Sequence, residues 1–260
     1  MQINTVEEFK ELIDKIQLRR MPFVGKSPHK QEYYRGQKNI PSYKLKPTIA
    51  RNNNSPDEIE KLEELILKKF EAGIHSLGLG DVVKQSTRTY KHIDLWELMW
   101  QAQHYELPTR LFDWTLKPEV ALYFATSAHE DIDGQFWVLS MPNVQHDYSF
   151  LNIEPNKYKM TTILNPSFAI EDDQNTLIAE RRRWNQHGKF LIQSYTDSTT
   201  PLEENTKFDE HLEKFIIPKD KKTMFQTYLK EQGFTEDTLL PKRDNRIVEL
   251  VEEIRNELGI

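Results

Sequence analysis

Hydrophobic and polar positions fall into several readable rhythms along the 260 residues. Thr5 and Glu8 make a capping-box pattern, and Phe9, Leu12, Ile13 and Ile16 follow at helical spacing, which predicts a first helix. Met21–Lys30 carries two prolines, a glycine and a serine and reads as a loop. Tyr33 and Tyr34 predict a short strand over Glu32–Gln37, bent or broken at Gly36. Ser55, Pro56 and Glu58 mark the start of a second helix. Ile59, Leu62, Ile66 and Phe70 share its apolar face, and Gly73 is its candidate stop. Ile74–Tyr90 has breakers and no period, so it reads as a surface loop with some helix. Asp94 and Glu97 predict the cap of a third helix, with Leu95, Leu98, Met99 and Ala102 as its buried stripe and Pro108 beyond its end. Thr115 is expected to open a fourth helix whose buried face holds Val120, Ala121, Phe124, Ala125 and Ala128.

After Gly134, Gln135–Ser140 reads as a strand. Residues 141–176 scatter three prolines among polar residues and show no period. Thr176–His187 predicts a helix closed by Gly188, and Lys189–Tyr195 and Leu212–Ile217 predict strands. Two helices follow, one ending near Gly233 and a last one carrying Ile247, Leu250, Val251 and Ile254. Helices and strands mix without βαβ alternation, and neither a repeat nor a strong linker is visible. The expectation is a single α+β domain over 1–260, with a small mixed or antiparallel sheet flanked by several helices. Its parts are an N-terminal helix and loop (1–30), a core that bears the motifs (31–218) and C-terminal helices (219–260).

Composition narrows the chemistry. Thirty-five Lys and Arg against 41 Asp and Glu give a net charge of −6, which argues against a dedicated nucleic-acid binder while leaving a local basic groove open. With no cysteine, disulfide scaffolds, thiolate metal sites and a Cys nucleophile are excluded. Thirteen Phe, ten Tyr and five Trp supply large side chains to bury. The sequence has no run of about 18 apolar residues and no signal peptide at Met1–Asn4, so a cytoplasmic protein without a membrane partner is expected. Gly-rich phosphate loops, H-E-x-x-H and G-x-S-x-G are absent, and the eight histidines lack metal-ligand spacing. Neither a metal site nor an ordinary NTPase is expected.

Three strings concentrate polar chemistry. In Tyr33-Tyr34-Arg35-Gly36-Gln37, a guanidinium lies inside a half-buried strand and needs a carboxylate or phosphate partner. Gly36 lets a ligand or a second backbone approach closely. A structural ion pair at the sheet edge is the plainer alternative. In Trp100–Thr115, a loop stiffened by Pro108 joins two helices and crowds together His104, Thr109, Arg110, Asp113 and Trp114. An Arg110–Asp113 pair and a capping role for His104 are its structural alternatives. In Arg182–Phe190, Gln186 and His187 sit where a helix gives way to a strand, with a solvated basic turn as the alternative.

Together the strings resemble the FRG domain family, from about residue 30 to the C-terminus. Tyr34-Arg35-Gly36-Gln37 matches the motif that names the family. Leu45-Lys46-Pro47-Thr48-Ile49-Ala50-Arg51 resembles its Leu-x-Pro-x-x-x-Arg segment. Gln103-His104-Tyr105, Pro108–Thr115 and Ala121–Ala125 resemble its most specific block, and Gln186-x-Gly188-x-Phe190 a later motif. Glu106 stands where the family usually has Gly, Phe112 where it usually has Leu, and the C-terminal motif matches only loosely.

The motif order is in turn similar to ADP-ribosyltransferases, which implies NAD as co-substrate and a nucleotide-type ligand. On that resemblance Arg35 would hold phosphate or ribose, with Gly36 beside it. Thr109 and Gln186 would meet ribose, and Trp114 or Tyr34 would stack on a ring. Asp113 would act as base or orienter, with Gln37, His104 and Arg110 in the same site. Gln186 stands where those enzymes carry a catalytic Glu, and an amide cannot supply that charge. The family also suggests bacterial or phage defence, with a protein or nucleic acid as target. Two other functions compete: a binding module without catalysis, and a buried polar network in which Arg35, His104, Arg110 and Asp113 only fix the fold.

Overall fold

Six strands form one antiparallel sheet in the computed structural model, which describes the chain outside residues 20–29, 41–43, 53, 81–90, 128–130, 143–147, 165–184 and 241. The strands are β1 (Lys30–Lys38), β2 (Leu111–Thr115), β3 (Gly134–Pro142), β4 (Thr162–Leu164), β5 (Gly188–Ile192) and β6 (Leu212–Ile217), in the order β4-β5-β2-β1-β3-β6. Among the described residues the α-helices are α1 (Val6–Leu18), α2 (Pro56–Ser76), α3 (Ile93–His104), α4 (Pro118–Thr126), α5 (Tyr195–Ser198), α6 (Lys222–Glu231), α7 (Glu236–Leu239) and α8 (Asn245–Leu258). The expected α+β class is what the chain adopts. Among the described residues, no helix is long and apolar enough to cross a membrane.

Alternation along the strands gives the sheet two faces. On one, Tyr33, Phe112, Trp114, Trp137, Leu139 and Leu191 pack with Leu45, Leu202 and Phe208. On the other face the covering layer is divided. Helices α1, α4 and α6 cover Tyr34, Phe136, Val138 and Phe215. Helix α3 covers Leu111, Leu164, Phe190 and Ile192 over the other half. Helices α2, α3 and α8 pack on one another through Ile66, Phe70, Leu98, Val251 and Ile254.

Local rules place the helix starts. Thr5 accepts the Glu8 N–H at 3.1 Å, and Ser55 and Glu58 cap α2 reciprocally. Three expectations change. Gly73 lies inside α2 rather than ending it. A Cβ there would sit 2.3 Å from Leu250, so the glycine makes room for α8. Asp94 is within the first turn of α3 and makes no cap, because His92 holds that position. Leu95 is exposed while Trp96, Glu97 and Trp100 are buried, since α3 is enclosed on more than one side.

The largest change is β2. Residues 111–115, expected as loop, form a central strand, and α4 starts at Pro118 instead of Thr115. The strand is buried on both faces with only Asp113 exposed, so its sequence lacks the alternation that marks a half-buried strand. Thr115 still serves the helix entry by accepting the Lys117 N–H at 3.0 Å. Strand β5 stops at Ile192, and Tyr195 opens α5. The expected loop at 21–29 and most of the expected helix at 176–187 lie outside the described residues.

Candidate functional site

The two central strands barely touch. Strand β1 pairs with β3 along nine positions, whereas its pairing with β2 is the single register Tyr34–Thr115. Where β1 and β2 part, a cleft of about 440 Å³ opens, within the usual size of ligand sites. It is bounded by the sheet, by the end of α3 and by α4, which is where the divided layer leaves Asp113 of β2 open.

Glycine sets one wall. A Cβ on Gly36 would lie 1.7 Å from the Ala121 carbonyl oxygen, and one on Gly134 would lie 2.2 Å from that of Ala125. Helix α4 therefore rests directly on β1 and β3. The close approach expected at Gly36 is made by a second backbone, although the residue also borders the cleft.

Arg35 reaches into the gap. Its Nη1 donates to the Asp113 carbonyl oxygen at 2.6 Å, and its guanidinium stacks 4.0 Å above Phe112. Nε points to Gln37 Oε1 at 3.5 Å. Gln37 is buried and donates to Gln135, which also accepts from Trp137 Nε1. Gln37 thus stands behind Arg35 rather than bordering the cleft.

Asp113 presents the exposed carboxylate of β2. Gln103 Nε2 donates to its Oδ2 at 2.9 Å. The Thr109 hydroxyl donates to Gln103 Oε1 at 2.7 Å and accepts the Leu111 N–H at 3.1 Å. This chain of bonds turns the amide so that its NH₂ meets the carboxylate. Thr109, expected on a ribose, is fully buried behind Gln103. Gln103 is the residue the sequence reading passed over, although it opens the quoted Gln103-His104-Tyr105 motif.

His104 and Gln186 border the same cleft as Arg35 and Asp113. His104 packs edge-on against Tyr105, with ring centres 5.0 Å apart. Gln186 is tied at two points. Its Nε2 donates to the Leu239 carbonyl at 2.7 Å, and its own carbonyl accepts the Thr115 hydroxyl at 2.5 Å. The next residue, His187, has φ +47°. Partial desolvation of this surface residue, first, and then Lys117 and Lys189 hold its pKa below the ordinary histidine value.

Three expected ligand contacts lie elsewhere. Arg110 is wholly buried outside the cleft, and its partner is Glu63 rather than Asp113, at 2.8 Å. Its guanidinium also donates to the carbonyls of Tyr158, Gln193 and Pro155 and stacks 3.7 Å from the Tyr195 ring. Four of the five N–H donors of the fork are occupied by buried protein acceptors, so Arg110 is a strut. Trp114 borders the cleft with its chain, but its ring packs with Phe112 on the opposite face. Tyr34 is 1% exposed and packed near Phe136, so its ring offers no face for stacking. The cleft's aromatic walls are Trp100, Phe124 and Phe190.

Two arginines complete the lining, Arg51 after the turn Thr48–Ala50 and Arg255 on α8. Arg51 belongs to a quoted motif. Arg255 carried no signal, because nothing in an amphipathic helix says what its polar face will meet. With Arg35 they make three guanidiniums against the carboxylates of Asp113 and Glu106, a cationic cleft in a chain of net charge −6. Among the described residues, no group of three or more His, Asp and Glu is placed to hold a metal.

Residues 30–134 match the family model described as the FRG domain. No curated protein and no solved structure matches the chain.

Proposed function

From the FRG domain that this chain carries at residues 30–134, we propose that the cleft binds a nucleotide-type ligand, with NAD as the candidate co-substrate. The observation that carries the reading is the meeting of Arg35 and Asp113, from strands 78 residues apart, at the point where β1 and β2 part. A planar cation held on the main chain of Asp113, whose own carboxylate accepts a hydrogen bond from Gln103, gives the cleft one group for a phosphate and one for a ribose. Phe124 and Phe190 offer apolar surface for a ring.

The same groups suit cleavage of the bond between ribose and nicotinamide. Nicotinamide leaves with the bonding electron pair, and the positive charge that develops on the ribose is met by Asp113. The incoming nucleophile is water, or a group on a protein or nucleic acid in bacterial or phage defence, and it gives its proton to Asp113. Arg35 holds phosphate. With its nitrogen committed to Leu239, Gln186 has its carboxamide oxygen to accept from a ribose hydroxyl. Binding without turnover is the second reading, favoured by the amide at position 186 and its tie to Leu239.

The test is calorimetric titration with NAD and ADP-ribose, together with release of labelled nicotinamide. Micromolar to millimolar binding that is lost in Arg35→Lys supports the reading. Turnover lost in Asp113→Asn with binding retained assigns the chemistry to Asp113. Binding with no turnover selects the second reading, and no binding of any nucleotide overturns both.

A further inference from the structure

A carboxylate only accepts hydrogen bonds, whereas a ribose presents two neighbouring hydroxyls, each both donor and acceptor. Asp113 is not alone at its place in the cleft. Gln103, on the last turn of α3, reaches across the seam between helix and sheet and gives one N–H of its amide to Asp113 Oδ2 at 2.9 Å. Both residues border the cleft, and the contact between them is exposed. Among the described residues, Asp113 Oδ1 and the second N–H of the Gln103 amide have no protein partner. An acceptor and a donor therefore stand side by side on the cleft wall.

The amide is held in this sense from behind. The Thr109 hydroxyl already accepts the Leu111 N–H, so its own proton goes to Gln103 Oε1, at 2.7 Å. At the other end, the Asp113 carboxylate takes the nitrogen. Thr109 is fully buried and does this without meeting a ligand.

Resting on the reading of the cleft as a nucleotide site, we infer that Asp113 and Gln103 together read the vicinal diol of a ribose. One hydroxyl donates to Asp113 Oδ1, and its neighbour accepts from Gln103 Nε2. The ribose is that of the nicotinamide, whose developing charge Asp113 faces. The ligand class is then a ribonucleotide with both hydroxyls free on that sugar. A deoxyribose, or a diol blocked by esterification, leaves one of the two groups without its partner. Gln103 is a specificity-determining residue on this account, and Thr109 is a positioning residue. Each carboxylate oxygen has two lone pairs, so the diol leaves Asp113 able to take a proton.

The full chain is titrated by calorimetry with NAD and with two analogues, deoxygenated at the 2′ or the 3′ position of the nicotinamide ribose. Wild type is expected to bind both analogues more weakly than NAD. The loss should be about tenfold or more for the hydroxyl on the carboxylate and roughly three- to tenfold for the one on the amide. Gln103→Met keeps the length of the side chain without its donor. It should lose the discrimination against one analogue and keep that against the other, which Asp113 meets. Thr109→Val should weaken the same discrimination as Gln103→Met, and Thr109→Ser should restore it. Thermal melts of each variant confirm that the ratios are read on folded protein. A Thr109→Val variant with a lower melting midpoint and unchanged ratios overturns the positioning role. Equal binding of NAD and both analogues by wild type, or discrimination unchanged in Gln103→Met, overturns the diol subsite and leaves the nucleotide reading standing. Failure of wild type to bind NAD overturns the NAD reading and the subsite with it.

Discussion

Replacing Arg110 by Leu should destabilise the protein severely without acting through the ligand. The side chain is fully buried, and its partner Glu63 is 1% exposed. Deletion strips three main-chain carbonyls, those of Pro155, Tyr158 and Gln193, of a buried donor. It also leaves the Glu63 carboxylate with only the residue-110 N–H and the Tyr195 hydroxyl. Each orphaned buried polar group costs about 1–3 kcal/mol, and breaking a buried ion pair costs about 3–5 kcal/mol. Leucine returns some apolar contact, so a net loss of about 4 kcal/mol is expected. At roughly 2–4 °C per kcal/mol for a chain of this size, the melting midpoint should fall by about 10 °C. Arg110→Lys should lose nearly as much, because an ammonium with three donors cannot serve the four acceptors that the fork meets. The assay is a thermal melt followed by circular dichroism, with ligand affinity measured well below the midpoint. A midpoint within about 3 °C of wild type, or a folded variant with selectively lost ligand affinity, would refute the assignment of Arg110 as a strut.

Arg35→Lys should do the opposite, lowering nucleotide affinity about tenfold or more in calorimetry while the melt moves by only a few degrees, since Arg35 is half-buried and one cation replaces another. Gly36→Ala should cost about 3 kcal/mol or more, because the new Cβ would meet the α4 backbone at 1.7 Å; an unchanged melt would contradict the packing of α4 on β1. Gln186→Glu sets a carboxylate against the Leu239 carbonyl in place of a donor, so a loss of about 1–3 kcal/mol is expected. A gain in nicotinamide release in that variant would show instead that the added charge reaches the ribose. His187 has a lowered pKa in the fold, so the unfolded chain takes up its proton first as the pH falls. Stability then declines as pH drops through the ordinary histidine value near 6.5 and levels off below the folded pKa. Urea titrations between pH 8 and 5 should show a shallower decline in His187→Asn, which also suits the left-handed backbone at φ +47°.

What the sequence determined by itself was local. Ser55, Pro56 and Glu58 announce the start of α2 because a capping box needs only residues three apart. Leu212–Ile217, which reads as a strand in sequence, is β6 at its observed bounds. The motifs also nominated Arg35, His104, Asp113 and Gln186, and all four border one cleft. Only the tertiary structure decided how each is held there. Leu111–Thr115 is a strand because β5 and β1 flank it, and a segment buried on both faces has no alternation to read. Arg35 and Arg110 look alike in sequence, as guanidiniums beside polar and aromatic residues. The parting of two strands opens one to a cleft, and Glu63 with three carbonyls seals the other in the core. Arg255 lies 220 residues from Arg35 and reaches the cleft because α8 packs on α2, with Gly73 leaving the space for Leu250. Charge partnership depends on which surfaces meet, and no periodicity within one element encodes that meeting.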